Sequence, residues 1–98
     1  MNMQQLMIQA QKMQRELKKA KDQLHAKEFT KNQSGVVTVT VKGDKTIVKI
    51  DIDKDALEDK EMVEEMIALA LNALFEQIDD EESAIEEKLA GGATGFGF

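Results

Sequence analysis

The chain has no cysteine, tryptophan or tyrosine, only one histidine, and only four phenylalanines. Without cysteine, no disulfide can staple a small fold and no thiolate can hold a metal, so a reducing cytoplasm is the natural setting. The phenylalanines are scattered, and no strand carries the paired rings on which single-stranded bases stack. His25 has neither a second histidine nor a cysteine to complete a metal set, and no serine is placed as a nucleophile; a solvent-facing helix position is expected for it. No apolar run approaches bilayer-crossing length, and the glutamine-rich N-terminus lacks the charged flank and apolar block of a secretory signal. These gaps predict a soluble, cytosolic protein without a membrane partner.

Cations are scarce in the last third. Residues 61–98 hold Lys88 alone against ten carboxylates, whereas residues 1–31 hold seven cations against three carboxylates. The whole chain of 98 residues carries a net charge of −6, which repels polyanions at long range. Screening at physiological salt confines that repulsion to about 8 Å. A locally basic helix therefore still binds an anion, provided the acidic segment points elsewhere.

The N-terminus has a heptad seam: Met3, Leu6, Ala10, Met13, Leu17, Ala20 and Leu24 alternate at three- and four-residue intervals. This predicts a helix over 3–26, roughly 35 Å long. With Met3 at heptad position a, Lys12, Arg15, Lys18 and Lys19 lie off the seam and Lys21 on its flank; Met7 and Ile8 add apolar surface only at the tip. The middle of the chain is β. Residues 36–42 alternate, with Val37, Val39 and Val41 on one face, and a Gly43-Asp44 turn leads to residues 46–53, with Val48, Ile50 and Ile52 expected inward. A weaker strand over 28–33, with Phe29 as its one large apolar residue, precedes a Ser34-Gly35 turn.

A last helix opens after Asp55 and Asp59, both candidate N-caps. Its broad apolar face includes Ile67, Leu71, Leu74 and Ile78, and narrows to Ile85 and Leu89. Unbroken to Leu89 it measures about 45 Å, against a diameter of roughly 33 Å for a compact globule of this length. The helix ends must therefore protrude, with their seams covered by each other or by a second chain, and a homodimer is the economical solution. The expected packing residues are Leu6, Met13, Leu17 and Leu24 on the first helix and Ile67, Leu71, Leu74 and Ile78 on the last. Residues 1–90 read as one α+β domain, and the glycine-rich 91–98 as a flexible tail.

Nothing here reads as an enzyme with a small-molecule substrate or cofactor. Asp51, Asp53 and Asp55 have the spacing that opens a calcium loop, but Ala56 and Met62 stand where that loop needs glycine and a bidentate glutamate. Strand-end and helix-cap roles account for them better, and no metal is expected. The terminal glycines follow a helix instead of preceding one, so they form no phosphate cradle. Carboxylates over 76–87 read as a solvated face.

The segments MQQLMIQAQKMQRELKKAKDQL, GVVTVTVKGDKTIVKIDID and ALEDKEMVEEMIALALNAL, with a glycine-rich end closing on Phe98, together resemble the YbaB/EbfC family of bacterial nucleoid-associated proteins. Val39, Gly43, Ile50, Asp53, Leu57 and Asn72 carry the most specific part of the likeness. The resemblance implies an α-β-β-β-α fold and a homodimer with helices projecting like tweezer arms. It also implies binding of double-stranded DNA with little sequence demand, effects on nucleoid organisation and gene expression, and a cytoplasmic, nucleoid location. Lys12, Arg15, Lys18, Lys19 and Lys21 are the expected phosphate contacts, with Lys27 and Lys31 as extras. The rival reading is an acidic dimeric scaffold that recruits a basic protein and does not bind DNA. The DNA reading requires that those cations not be neutralised by the carboxylates of the last helix.

Overall fold

A computed structural model describes residues 2–90. Helix α1 (Met3–Ala26) leads into strands β1 (Glu28–Gln33), β2 (Val37–Lys42) and β3 (Ile47–Ile52), a short 3-10 turn (Lys54–Ala56), helix α2 (Lys60–Ile85) and a terminal π turn (Glu86–Ala90). The expected α-β-β-β-α order of an α+β fold is thus found; the tail expected over 91–98 lies outside the described residues.

Each helix starts where a side chain can accept from an orphan backbone donor. Asn2 Oδ1 accepts the Gln5 N–H at 2.8 Å and opens α1. Asp59 Oδ1 accepts the Met62 N–H at 3.1 Å and opens α2, placing a carboxylate at the positive helix end. Asp55, the other candidate cap, lies in the 3-10 turn, which Asp53 caps through the Asp55 N–H. No calcium-type loop forms from these aspartates: Asp51 sits in β3 opposite Thr38.

The strands form an antiparallel meander in the order β1-β2-β3. Ser34 and Gly35 both take positive φ, as a type I′ turn between β1 and β2 requires. The β2–β3 connection differs from the expected two-residue turn. Lys42 donates its N–H to Thr46 O at 2.8 Å, Lys45 takes the left-handed conformation, and the loop is three residues long. The register then slips between Thr40 and Val41, so that Val41 faces Ile47 while Thr40 faces Lys49. Val48 is the extra residue of this bulge, and Ile47, not Val48, shares the face of Val41; Ile50 and Ile52 lie opposite Val39 and Val37 as expected.

Gly43 is required by a tertiary contact, not by the turn. A Cβ there would lie 1.8 Å from the Leu24 carbonyl oxygen, and the Gly43 N–H donates to Lys27 O at 2.9 Å. The end of α1 is thereby stapled to the sheet.

The core lies between the sheet and α2. Val37, Val39 and Val41 meet Val63, Ala70, Leu74 and Ile78, with Phe29 and Leu24 closing the ends. Burying each large side chain contributes about 1.5–3 kcal/mol. Helix α2 packs over β1 and β2 but hardly over β3. As a result Ile50, expected inward, remains 39% exposed; the bulged Val48, also expected inward, is 47% exposed, and Ile47 is 46% exposed. The molecule is far from globular, measuring 68 × 24 × 13 Å with a radius of gyration of 19.4 Å, against about 13 Å for a compact chain of this size. The protruding ends anticipated from helix length are present.

Candidate nucleic-acid interface

Helix α1 positions the cations. Glutamine, lysine, leucine, methionine and alanine dominate it, all good helix formers. Its regular winding sends Lys12, Arg15 and Lys19 down one exposed stripe spanning about 10 Å along the axis. Among the described residues none of these three has a carboxylate within ion-pair distance. Lys18 pairs with Asp22 at 2.7 Å, four residues on, with both side chains well exposed. Such a pair contributes little and exchanges readily.

The base of the helix is different. Lys21 Nζ lies 2.7 Å from Glu86 Oε1, and Lys27 Nζ lies 3.1 Å from Glu81 Oε1 and 4.9 Å from the centre of the Phe29 ring. The Lys21 ammonium is held above the ordinary lysine range, chiefly by its hydrogen bond to Glu86, with burial opposing. His25 was expected to face solvent, yet its Nε2 lies 3.9 Å from Glu82 Oε2. Lys45 on the β2–β3 loop reaches Asp79 at 2.7 Å. Lys31 is half-buried in β1, opposite Val39. Two of the seven nominated cations, Lys21 and Lys27, are therefore occupied by carboxylates of α2 and its π turn, while Lys12, Arg15 and Lys19 are open.

The sequence offered a signal for these contacts that the reading missed. Leu17, Ala20 and Leu24 need cover, and the narrow apolar stripe Ile78-Ile85-Leu89 can supply it if the helices run antiparallel. That pairing brings Glu81, Glu82 and Glu86 beside Lys27, His25 and Lys21, which is the observed ladder. Of the packing residues, Leu24, Leu74 and Ile78 are buried; Met13, Leu17, Ile67 and Leu71 are half-buried; Leu6 is 52% exposed.

No enclosed chemistry accompanies the stripe. An open depression lined by Arg15, Lys18, Lys19, Asp22, Gln23 and Ala26 is the flank of α1 itself. Among the described residues, no group of three or more histidine, cysteine or carboxylate side chains comes together to hold a metal, and no helix is long and apolar enough to cross a membrane.

Comparison with known proteins places this architecture. A nucleoid-associated protein of Mycoplasmopsis pulmonis is 35% identical over 98 residues, covering 98% of this chain and 97% of its own. One from Agathobacter rectalis is 42% identical over 97 residues, covering 96% of this chain and 86% of its own. The crystal structure of the uncharacterized protein HP0035 from Helicobacter pylori aligns with a TM-score of 0.61 at 27% identity, covering 98% of this chain and 97% of that one. The family model described as the YbaB/EbfC DNA-binding family matches residues 1–93, and the chain belongs to that family.

Proposed function

We propose that this protein is a nucleoid-associated homodimer that binds double-stranded DNA through the outer face of α1, with little sequence specificity, in the cytoplasm at the nucleoid. The observation that carries this reading is the unpaired stripe Lys12-Arg15-Lys19 on a projecting helix. Three cations over about 10 Å match a duplex that presents one phosphate charge per about 1.7 Å of axis. Lys18 joins them by exchanging its weak intrahelical partner. Lys21 contributes only when Glu86 yields it. Phosphate contacts fix position and carry no base code, which suits a protein that shapes the nucleoid and affects the expression of many genes.

Strand β3 supports the homodimer. It is a sheet edge with free backbone groups and three apolar side chains, Ile47, Val48 and Ile50, left exposed. Such an edge invites pairing. A second copy meeting it about a two-fold axis extends the sheet, covers these residues on both subunits and leaves the helical arms projecting from the joint body.

A gel-shift titration against random duplex at rising salt tests the DNA contact. Log affinity is expected to fall with log salt by about 0.9 per phosphate contact. Reversing Arg15 and Lys19 to glutamate is expected to abolish the shift without unfolding the protein. Undiminished binding by that double variant would remove α1 as the site. The acidic scaffold is the second reading, supported by the carboxylates of α2 that take no part in the ladder; absence of any shift at low salt decides in its favour.

A further inference from the structure

We propose that the carboxylate end of α2 is a resident competitor for DNA, a polyanion stand-in that occupies the base of the α1 interface until a duplex displaces it. This rests on the reading of α1 as the phosphate-binding face. The geometry is an antiparallel ladder: Glu81 on Lys27 at 3.1 Å, Glu82 beside His25 at 3.9 Å and Glu86 on Lys21 at 2.7 Å. Lys21 and His25 belong to the helix that carries the open stripe, and Lys27 caps its C-terminal end.

The rungs suit exchange better than permanent closure. The six side chains are between 29% and 56% exposed, and lysine–carboxylate pairs that wet are individually weak. A duplex offers a denser line of negative charge than three carboxylates, and its binding is favoured further by counterion release. The interface therefore works in two stages. Lys12, Arg15 and Lys19 make first contact, and Lys21 and Lys27 join only as the α2 arm is pushed aside. The open stripe sets basal affinity, while displacing the ladder sets the cost of two further contacts per arm.

The decisive variant replaces the three ladder carboxylates together: Glu81→Gln, Glu82→Gln and Glu86→Gln. Its control removes the same charge from carboxylates that enter no ion pair among the described residues, Glu61→Gln, Glu65→Gln and Glu76→Gln. Removing the competitor is expected to tighten duplex binding about tenfold at moderate salt, with the control well short of that, while the salt slope stays near the parent's because the displaced parent makes the same phosphate contacts. An equal gain in the control means that only net charge matters, and overturns the competitor. An unchanged affinity in the ladder variant overturns it too. If the parent and both variants fail to shift duplex even at low salt, the α1 reading itself fails and takes this inference with it.

A second readout does not depend on affinity. The chain has no cysteine, so labels at Gln23→Cys on α1 and Ser83→Cys on α2, in subunits diluted with unlabelled parent, report the distance between the arms of one subunit. Saturating duplex is expected to lengthen that distance in the parent. A duplex-bound protein with the two arms still at their unbound separation contradicts displacement, even though DNA binding stands.

Discussion

The two halves of α1 obey one heptad rule and meet opposite fates. Leu24, at the base, is 4% exposed, while Leu6, on the same seam, is 52% exposed and Met3 77%. Periodicity identifies which face of a helix wants cover; it does not say whether the chain itself is long enough to provide it. Here α2 and its π turn reach back only as far as the middle of α1, so the proximal seam is satisfied internally and the distal seam is left open. Charge divides along the same line. Lys21 near the base and Lys27 just past it are paired across the arms, whereas Lys12, Arg15 and Lys19, on the exposed stripe, are free among the described residues.

The largest expected effect tests this difference with one substitution at two places. Leu24→Ala leaves a hole where α1 meets the core and is expected to cost about 2–5 kcal/mol. Leu6→Ala removes the same atoms from a solvated position and is expected to change stability by less than about 0.5 kcal/mol. Urea unfolding at several protein concentrations reads both. A large, concentration-dependent loss at Leu6 would show that another chain covers the distal seam and would redraw the division.

Gly43→Ala comes next. Its added methyl collides with backbone at Leu24, which cannot rotate away, so the α1 base must shift at a cost of about 1–3 kcal/mol. Gly35 offers the contrast, since open space surrounds its missing Cβ and only its positive φ resists substitution; Gly35→Asn is expected to be nearly neutral, because asparagine tolerates that conformation. Thermal unfolding of the two variants separates a packing glycine from a turn glycine. Equal losses would mean that Gly43 is not what fastens α1 to the sheet.

Ile50→Lys probes the open face of the sheet. Its side chain is already 39% exposed, so the isolated subunit is expected to keep its secondary structure, while self-association is lost through like charges meeting at the β3 edge. Sedimentation measures the outcome directly. A variant that remains fully dimeric moves the subunit contact away from β3 and makes the open half of α1 the next place to look.

Much of this architecture could be read in the residues, because local rules governed it. The bounds of α1, the burial of Val37, Val39 and Val41, and the apolar face of α2 all follow from periods of two and of 3.6. What escaped was set by tertiary geometry. The bulge at Val48 follows from a left-handed Lys45 that no residue preference announces. The exposure of Ile50 follows from where α2 lies across the sheet. The pairing of Lys21 and Lys27 follows from the antiparallel approach of two arms distant in sequence. The open stripe was visible as a pattern of charge, but which cations stay open depended on that approach.

The smallest expected effects are in pH. The Asp44 carboxyl is held below the ordinary carboxylate value of 3.8, chiefly by hydrogen bonds from the Thr46 hydroxyl and N–H. A group with a lowered folded-state value contributes stability that is complete above its unfolded value and is lost as pH falls through the folded one. Lys21 runs the other way: its raised value means that the contribution is complete below 10.5 and is lost only as pH rises beyond it. Between these limits neither group gives stability a slope, so Asp44's contribution to the β2–β3 loop is lost only in acid and Lys21's contribution to the arm contact only in strong alkali. Both side chains are solvated, and the changes are expected to be slight. Melting curves of the parent and of Asp44→Asn are expected to coincide in shape at neutral pH and to converge only as pH falls below 3.8 and through the lowered folded-state value, where the parent's aspartate is itself protonated. A gap between them that stays constant down to acid would show that the charge of Asp44 contributes nothing and that its role in the loop is steric.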